Sequence, residues 1–144
     1  MSGAAPPASG PPADGPPSDR QPMIRVIAMP ADTNPSGDIF GGWLMAQMDL
    51  AGGNAAQRRA RGRVATVGVE AMSFLAPVRV GDEVSIYTEV LGVGRTSLRI
   101  RVEAWRRHLD ENRRVTEAVF TFVALDAEGR PRPVDQTEHR TTQR

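Results

Sequence analysis

Apolar positions follow two different periods along this chain. Between Gly42 and about Arg59 they recur at three- and four-residue steps, through Leu44, Met48 and Ala51 or Ala55, which predicts a helix with one apolar stripe closed by Gly62. Downstream the pattern is that of strands. Thr96–Arg106 alternates cleanly, with Leu98, Ile100, Val102 and Ala104 on one face and Arg99, Arg101 and Glu103 on the other. Val64–Met72 and Glu83–Val93 are rich in β-formers, and Val115–Leu125 is apolar on both faces, as a central or covered strand must be. Upstream, Met23–Met29 is a short strand candidate between Pro22 and Pro30. Pro30–Asp38 reads as a turn-rich loop, Pro77–Asp82 and Asp126–Gly129 as turns, and Leu109–Arg114 as a polar loop.

The predicted order is one strand, one long helix, then four strands with short connections. Such strands pair as an antiparallel meander. One helix against one sheet is a two-layer arrangement, and this helix is too apolar to lie on an open surface, so the sheet is expected to curl around it. The expectation is an α+β protein with a hot-dog fold, its antiparallel sheet wrapped around one long central helix. Gly52 and Gly53 lie inside that helix and each costs about 1 kcal/mol relative to alanine, so something should pack close against the backbone there. The two-sided strand Val115–Leu125 predicts association of at least two chains.

Composition narrows the chemistry. Residues 1–22 are mostly Pro, Gly, Ala and Ser and cannot bury enough apolar surface to offset their ordering, so a disordered tail is expected there, followed by one domain at 23–134 and a polar tail at 135–144. No apolar segment suggests a secretory signal or a membrane helix. The chain has no cysteine, and all 18 of its basic residues are arginine. That removes thiolate nucleophiles, cysteine-ligated metals and lysine Schiff bases, and it fits a cytoplasmic location. With a net charge of +1, the overall field does not argue for nucleic acid.

The segment Ala28–Gly53 concentrates what chemistry remains. A polar turn stretch runs into Phe40-Gly41-Gly42, and a helical aspartate, Asp49, follows seven residues after Gly42. A carboxylate in an apolar stretch needs a reason: it either accepts loop hydrogen bonds and serves packing, or acts as general base or nucleophile toward a carbonyl. Unpaired amides at the helix start can stabilise a carbonyl oxygen that gains negative charge, and glycine lets a substrate approach them. Asn34 and Asp38 suit turns and caps as well as chemistry. Arg58, Arg59, Arg61 and Arg63 cluster past the helix end, where they complement its dipole or meet a ligand phosphate. Gly94, Arg95, Thr96 and Ser97 form a second anion-binding candidate. His108 and His139 read as solvated, and no histidine pair has metal-ligand spacing.

Taken in order, AMPADTN, GDIFGGW, QMDLAGG, GRVATVGVE, FLAPVRVGD, GRTSLRI and EAVFTFVALD resemble the YciA-type acyl-CoA thioesterases of the hot-dog superfamily, over about Met23–Pro133. The resemblance implies hydrolysis of an acyl-CoA thioester to a free acid and coenzyme A, without metal or cofactor. It implies a catalytic Asp49, a polarising amide at Gly42, and a site built across a dimer in which Thr66 of the second strand comes from the partner. It places Asp38 where two-repeat thioesterases carry an asparagine, as a secondary participant, and it implies trimers of dimers. Acyl-CoA and coenzyme A are then the small-molecule partners, with Asn34, Gly41 and the Gly94–Ser97 turn as binding candidates and no nucleic-acid or membrane partner. A non-catalytic acyl-CoA binding module on the same fold is the alternative. A dehydratase is disfavoured, because neither histidine is placed near the helix.

Overall fold

The computed structural model describes residues 15–135. Strand β1 (Ile24–Ile27) leads through a 3-10 turn at Pro30–Asp32 to helix α1 (Gly41–Ala60). Four strands follow: β2 (Val64–Phe74), β3 (Glu83–Val93), β4 (Ser97–His108) and β5 (Glu111–Ala124). All pair antiparallel in one sheet of order β1-β3-β4-β5-β2. The helix packs on one face of this sheet and touches β2, β3, β4 and β5. One long helix in a curved antiparallel sheet is the hot-dog fold that the pattern predicts.

The core is the interface between these two layers. Leu44, Met48, Ala51 and Ala56 on the helix are buried against Val84, Ile86, Leu98, Ile100, Val102, Phe120 and Phe122 from the sheet. The alternation in β4 puts Leu98, Ile100, Val102 and Ala104 inward, as the sequence predicts, and β5 lies between β4 and β2 with both neighbours paired. Close packing explains Gly52. A Cβ there would stand 3.1 Å from Val102 Cγ2 and 3.2 Å from Phe122 Cζ, whereas at Gly53 it would make ordinary contact with Phe122 at 3.6 Å.

Several details differ from the pattern. The late strands are not one four-strand meander: only β3-β4-β5 are consecutive neighbours, and β2 crosses to the far side of β5. A strand apolar on both faces cannot sit at an open edge, and β2 takes that edge instead. The expected polar loop Leu109–Arg114 shrinks to a turn at Leu109 and Asp110, with Leu109 at φ 55. Residues Glu111–Arg114 continue β5, because they pair with Trp105–His108 across the hairpin. Arg61, not Gly62, takes the left-handed conformation that ends α1 (φ 58). Gly62 is small for another reason: its Cβ would fall 2.7 Å from Arg132 Nη2.

Residues 15–22 belong to the segment expected to be a tail. There Arg20 lies over the Tyr87 ring, 5.7 Å from its centroid, and donates to the Thr88 carbonyl at 3.0 Å. Residues 1–14 and 136–144, His139 included, are outside the described residues. Among the described residues no helix is long and apolar enough to cross a membrane.

The two helical glycines should separate cleanly in a stability measurement. Gly52→Leu should lower stability by about 1–3 kcal/mol through overpacking against Val102 and Phe122. Gly53→Ala should be neutral or stabilising by up to about 1 kcal/mol, since it gains helix propensity without a clash. Denaturant unfolding of the two variants beside the wild type checks both.

Candidate active site

Asp49 sits in the middle of α1, partly buried, one turn before Gly53. The Thr66 hydroxyl on β2 donates to its Oδ1 at 2.6 Å. That bond fixes one carboxylate oxygen, and among the described residues Oδ2 has no partner. The pair opens on a cleft of about 390 Å³ between helix and sheet, lined further along by Gly53, Asn54, Gln57 and Arg63. Thr66 therefore reaches Asp49 within one chain, where the resemblance implies a threonine from the partner. The reason is register: Thr66 lies opposite Phe122, whose ring packs beneath the helix at Gly52 and Gly53, so this part of β2 runs beside Asp49.

The start of α1 makes a different environment. Phe40 occupies the N-cap and has no side-chain oxygen to satisfy the first amides, so the N–H groups of Gly41 and Gly42 keep the unpaired, positive character of a helix start. A Cβ at Gly42 would meet nothing within 4 Å, so its glycine is not a packing requirement and its amide is open to approach. Beside it lies an apolar cleft of about 240 Å³ lined by Phe40, Gly41, Leu44, Phe74 and Val78. The preceding loop is held rigid from within. Asn34 Oδ1 accepts from the backbone N–H of Ser36 and Asp38 at 2.9 and 3.1 Å, and Asp32 accepts from Met29 N and, through its carbonyl, from Phe40 N. Asn34 thus organises its own turn, while the Asp38 side chain is exposed.

These two environments are too far apart to act on one carbonyl within one chain. Seven residues of helix separate Gly42 from Asp49, about 10 Å along the axis. Apolar side chains are exposed near them: Met45 between the two on the helix, Leu50 next to Asp49, and Val67 next to Thr66 on β2, with Leu50 at 62% and Val67 at 60%. Among the described residues strand β2, 11 residues long, is also a free sheet edge. A long apolar edge of this kind calls for a covering partner.

Residues 36–111 match the family model for the thioesterase superfamily. The chain belongs to the thioesterase superfamily. It is 50% identical over 115 residues to the acyl-CoA thioester hydrolase YciA of Escherichia coli, covering 76% of this chain and 87% of that one. Its structure matches an aspartate-to-alanine mutant of a hexameric broad specificity acyl-coenzyme A thioesterase, with TM-score 0.77, 48% identity and coverage of 80% and 86% of the two chains. It also matches a hexameric hotdog fold thioesterase of Campylobacter jejuni, with TM-score 0.80, 36% identity and coverage of 87% and 98%.

In this thioesterase-superfamily chain the Gly94–Ser97 turn is not at the Asp49 cleft. Gly94 N donates to Ser97 O at 2.8 Å, Thr96 O accepts from Ala124 N, and Arg95 O accepts from Val134 N. The turn is thereby tied to the chain beyond β5. Two features were not legible as functional or structural in the pattern. His108 is exposed, as read, but its Nδ1 lies 2.9 Å from Oδ1 of Asp82, which is 1% exposed and also accepts from Arg79 N. Arg132 caps the helix: it donates to the carbonyls of Ala60, Leu125 and Pro133 at 2.8, 3.2 and 2.9 Å. No spacing rule links Arg132 to Ala60, 72 residues earlier. Beyond it, Arg59 binds Asp135 through two bonds of 2.8 and 3.1 Å, and that hydrogen bonding holds the Asp135 carboxyl below its usual range. A lowered carboxylate stabilises the fold above its ordinary pKa, so this clasp is intact at neutral pH and is lost only as acid protonates Asp135.

Arg132→Met should remove the cationic cap from the last turn of α1 and leave the Leu125 and Pro133 carbonyls without it. A loss of about 1.5–3 kcal/mol is expected, read as a shift of the denaturant midpoint.

Proposed function

We propose that this protein hydrolyses acyl-CoA thioesters to the carboxylic acid and coenzyme A, at a site that two chains complete. The observation that carries the reading is Asp49: a carboxylate on a rigid helix, with one oxygen held by Thr66, lining a cleft. The names of relatives about half identical over most of the chain support thioester hydrolysis as the reaction.

The half-site geometry supports the two-chain arrangement. A two-fold pairing through the free β2 edge and the band of Met45, Leu50 and Val67 would cover that apolar surface. It would also bring the helix start of one protomer to the Asp49 of its partner. The Gly42 amide, with the positive end of the helix dipole, then polarises the thioester carbonyl, and the apolar cleft beside Gly41 takes the first carbons of the acyl chain. Asp49 removes a proton from water as it adds to that carbonyl, and the coenzyme A sulfur leaves with a proton. Equally consistent is direct attack by Asp49, giving a mixed anhydride that water then opens. Thr66 acts as a positioning residue through its bond to Asp49. Asp38 holds the approach to the helix start, and Asn34 keeps that loop in shape. Relatives described as hexameric support a trimer of such dimers.

Asp49→Ala should preserve the oligomer and lower the thiol-release rate on butyryl-CoA by about 10²–10⁴-fold. Near-wild-type turnover in that variant would leave acyl-CoA binding without catalysis as the better reading. Thr66→Val should cost less, mainly in kcat. Chain sharing has its own test, in which Asp49→Ala chains are unfolded and refolded together with Gly42→Pro chains, whose helix start lacks the donor amide but tolerates proline. Mixed dimers then hold one intact site of two, so about a quarter of wild-type activity should return. No recovery would place both groups of a site in one chain.

A further inference from the structure

The arginines of this chain differ in what they are paired with. On the outer face of the sheet they are matched with carboxylates: Arg99 with Glu70 at 3.4 Å, Arg101 with Glu89 at 2.9 Å, Arg107 with Glu83 at 2.9 Å and Arg114 with Glu117 at 3.3 Å. At the C-terminal end of α1 the two occupied cations are Arg59, bound by Asp135, and Arg132, bound by carbonyls. Arg58, Arg61, Arg63 and Arg95 in the same region have no carboxylate partner among the described residues. Arg25, Arg79 and Arg130 also lack a carboxylate partner among the described residues, but singly, whereas a cluster of unmatched positive charge is a field that attracts anions.

Only Arg63 of these lines the Asp49 cleft. Its backbone is fixed, since its carbonyl accepts from Leu125 N at 2.9 Å, so the guanidinium starts from a defined point at the cleft's far end. Asn54 and Gln57 lie between it and Asp49 on the same lining, and among the described residues their side-chain amides make no hydrogen bond. From Asp49 to Gln57 the helix advances eight residues, about 12 Å. The cleft thus presents, in order, a carboxylate, two free amides and a free guanidinium. A thioester of coenzyme A presents a carbonyl, two amides and a phosphorylated nucleotide in the same order.

We propose that Arg63 binds the phosphate groups at the nucleotide end of the substrate, with Asn54 and Gln57 pairing with the amides of the pantetheine arm. This rests on the thioesterase reading above and assigns the direction in which the substrate lies: acyl end toward Asp49, nucleotide toward the end of α1. Arg63 is then a specificity-determining residue that separates coenzyme A thioesters from thioesters of pantetheine alone.

The test compares butyryl-CoA with S-butyryl-pantetheine, which lacks every phosphate, on the wild type, Arg63→Ala and Arg63→Lys, by thiol release. In Arg63→Ala the preference for butyryl-CoA, as the ratio of kcat/KM values, should fall about 10- to 100-fold, through KM, as expected for a lost charge-assisted hydrogen bond. Arg63→Lys should lose less of that ratio, because it keeps the charge but not the fork. The KM for butyryl-CoA should rise with salt in the wild type and respond less in Arg63→Ala. A ratio equal to the wild type's in Arg63→Ala overturns the proposal, whether both substrates slow together or neither does. A wild type that releases thiol from neither substrate overturns the thioesterase reading instead, so the two failures are distinct.

Discussion

Everything in this fold depends on how near α1 comes to the sheet. The helix carries no side chain at Gly52, and there Val102 and Phe122 press toward its backbone at distances that a methyl group would already crowd. That contact puts Phe122 under the helix and keeps β5 inside the sheet, and it sets β2 alongside the same helix. The bond from Thr66 to Asp49 is a consequence: a 2.6 Å hydrogen bond between helix and strand needs the two backbones to be close. The glycines cost helix propensity in a helix whose stability comes from packing, so the loss is offset where the layers meet.

A straight helix is also a ruler. It holds its first amides and its carboxylate a fixed distance apart, about 10 Å over seven residues, and no side-chain motion closes that gap. A chain that carries both an anion-stabilising helix start and a poised carboxylate on one rod therefore points to a two-fold partner. The exposed apolar side chains near the two places, and the free edge of β2 beside them, give that partner a surface to cover. On the proposed two-chain reading, oligomerisation and chemistry would share one geometric cause.

Charge is distributed by the same logic. Where strands run side by side, alternation sends every second residue outward, and arginine and glutamate from neighbouring strands meet across the ladder. At the end of the helix there is no such ladder, and arginines stay unmatched unless the returning chain supplies a partner. Arg132 and Asp135 do so at the last turn, where a cation satisfies helix carbonyls and an anion takes Arg59. Among the described residues that return leaves Arg58, Arg61 and Arg63 without a carboxylate, and of these Arg63 lines the cleft.

Local periodicity was enough for most of the elements. The 3.6-residue stripe gave α1 to within a residue at each end, and the two-residue alternation in β4 gave its buried face. Asp49 stood out because an acid in an apolar stripe is locally anomalous, and Gly52 because glycine in a helix is. Both signals lie within a few positions of each other, so the sequence by itself determined them. The place of β2 beyond β5, the extension of β5 to Glu111, the pairing of His108 with buried Asp82, and the Arg132 cap were decided only by the tertiary structure. Each joins residues far apart in sequence through a register or a reach that no short pattern encodes. Thr66 was named by the resemblance alone and as the partner's group; its bond to Asp49 within one chain was decided by the closeness of strand and helix.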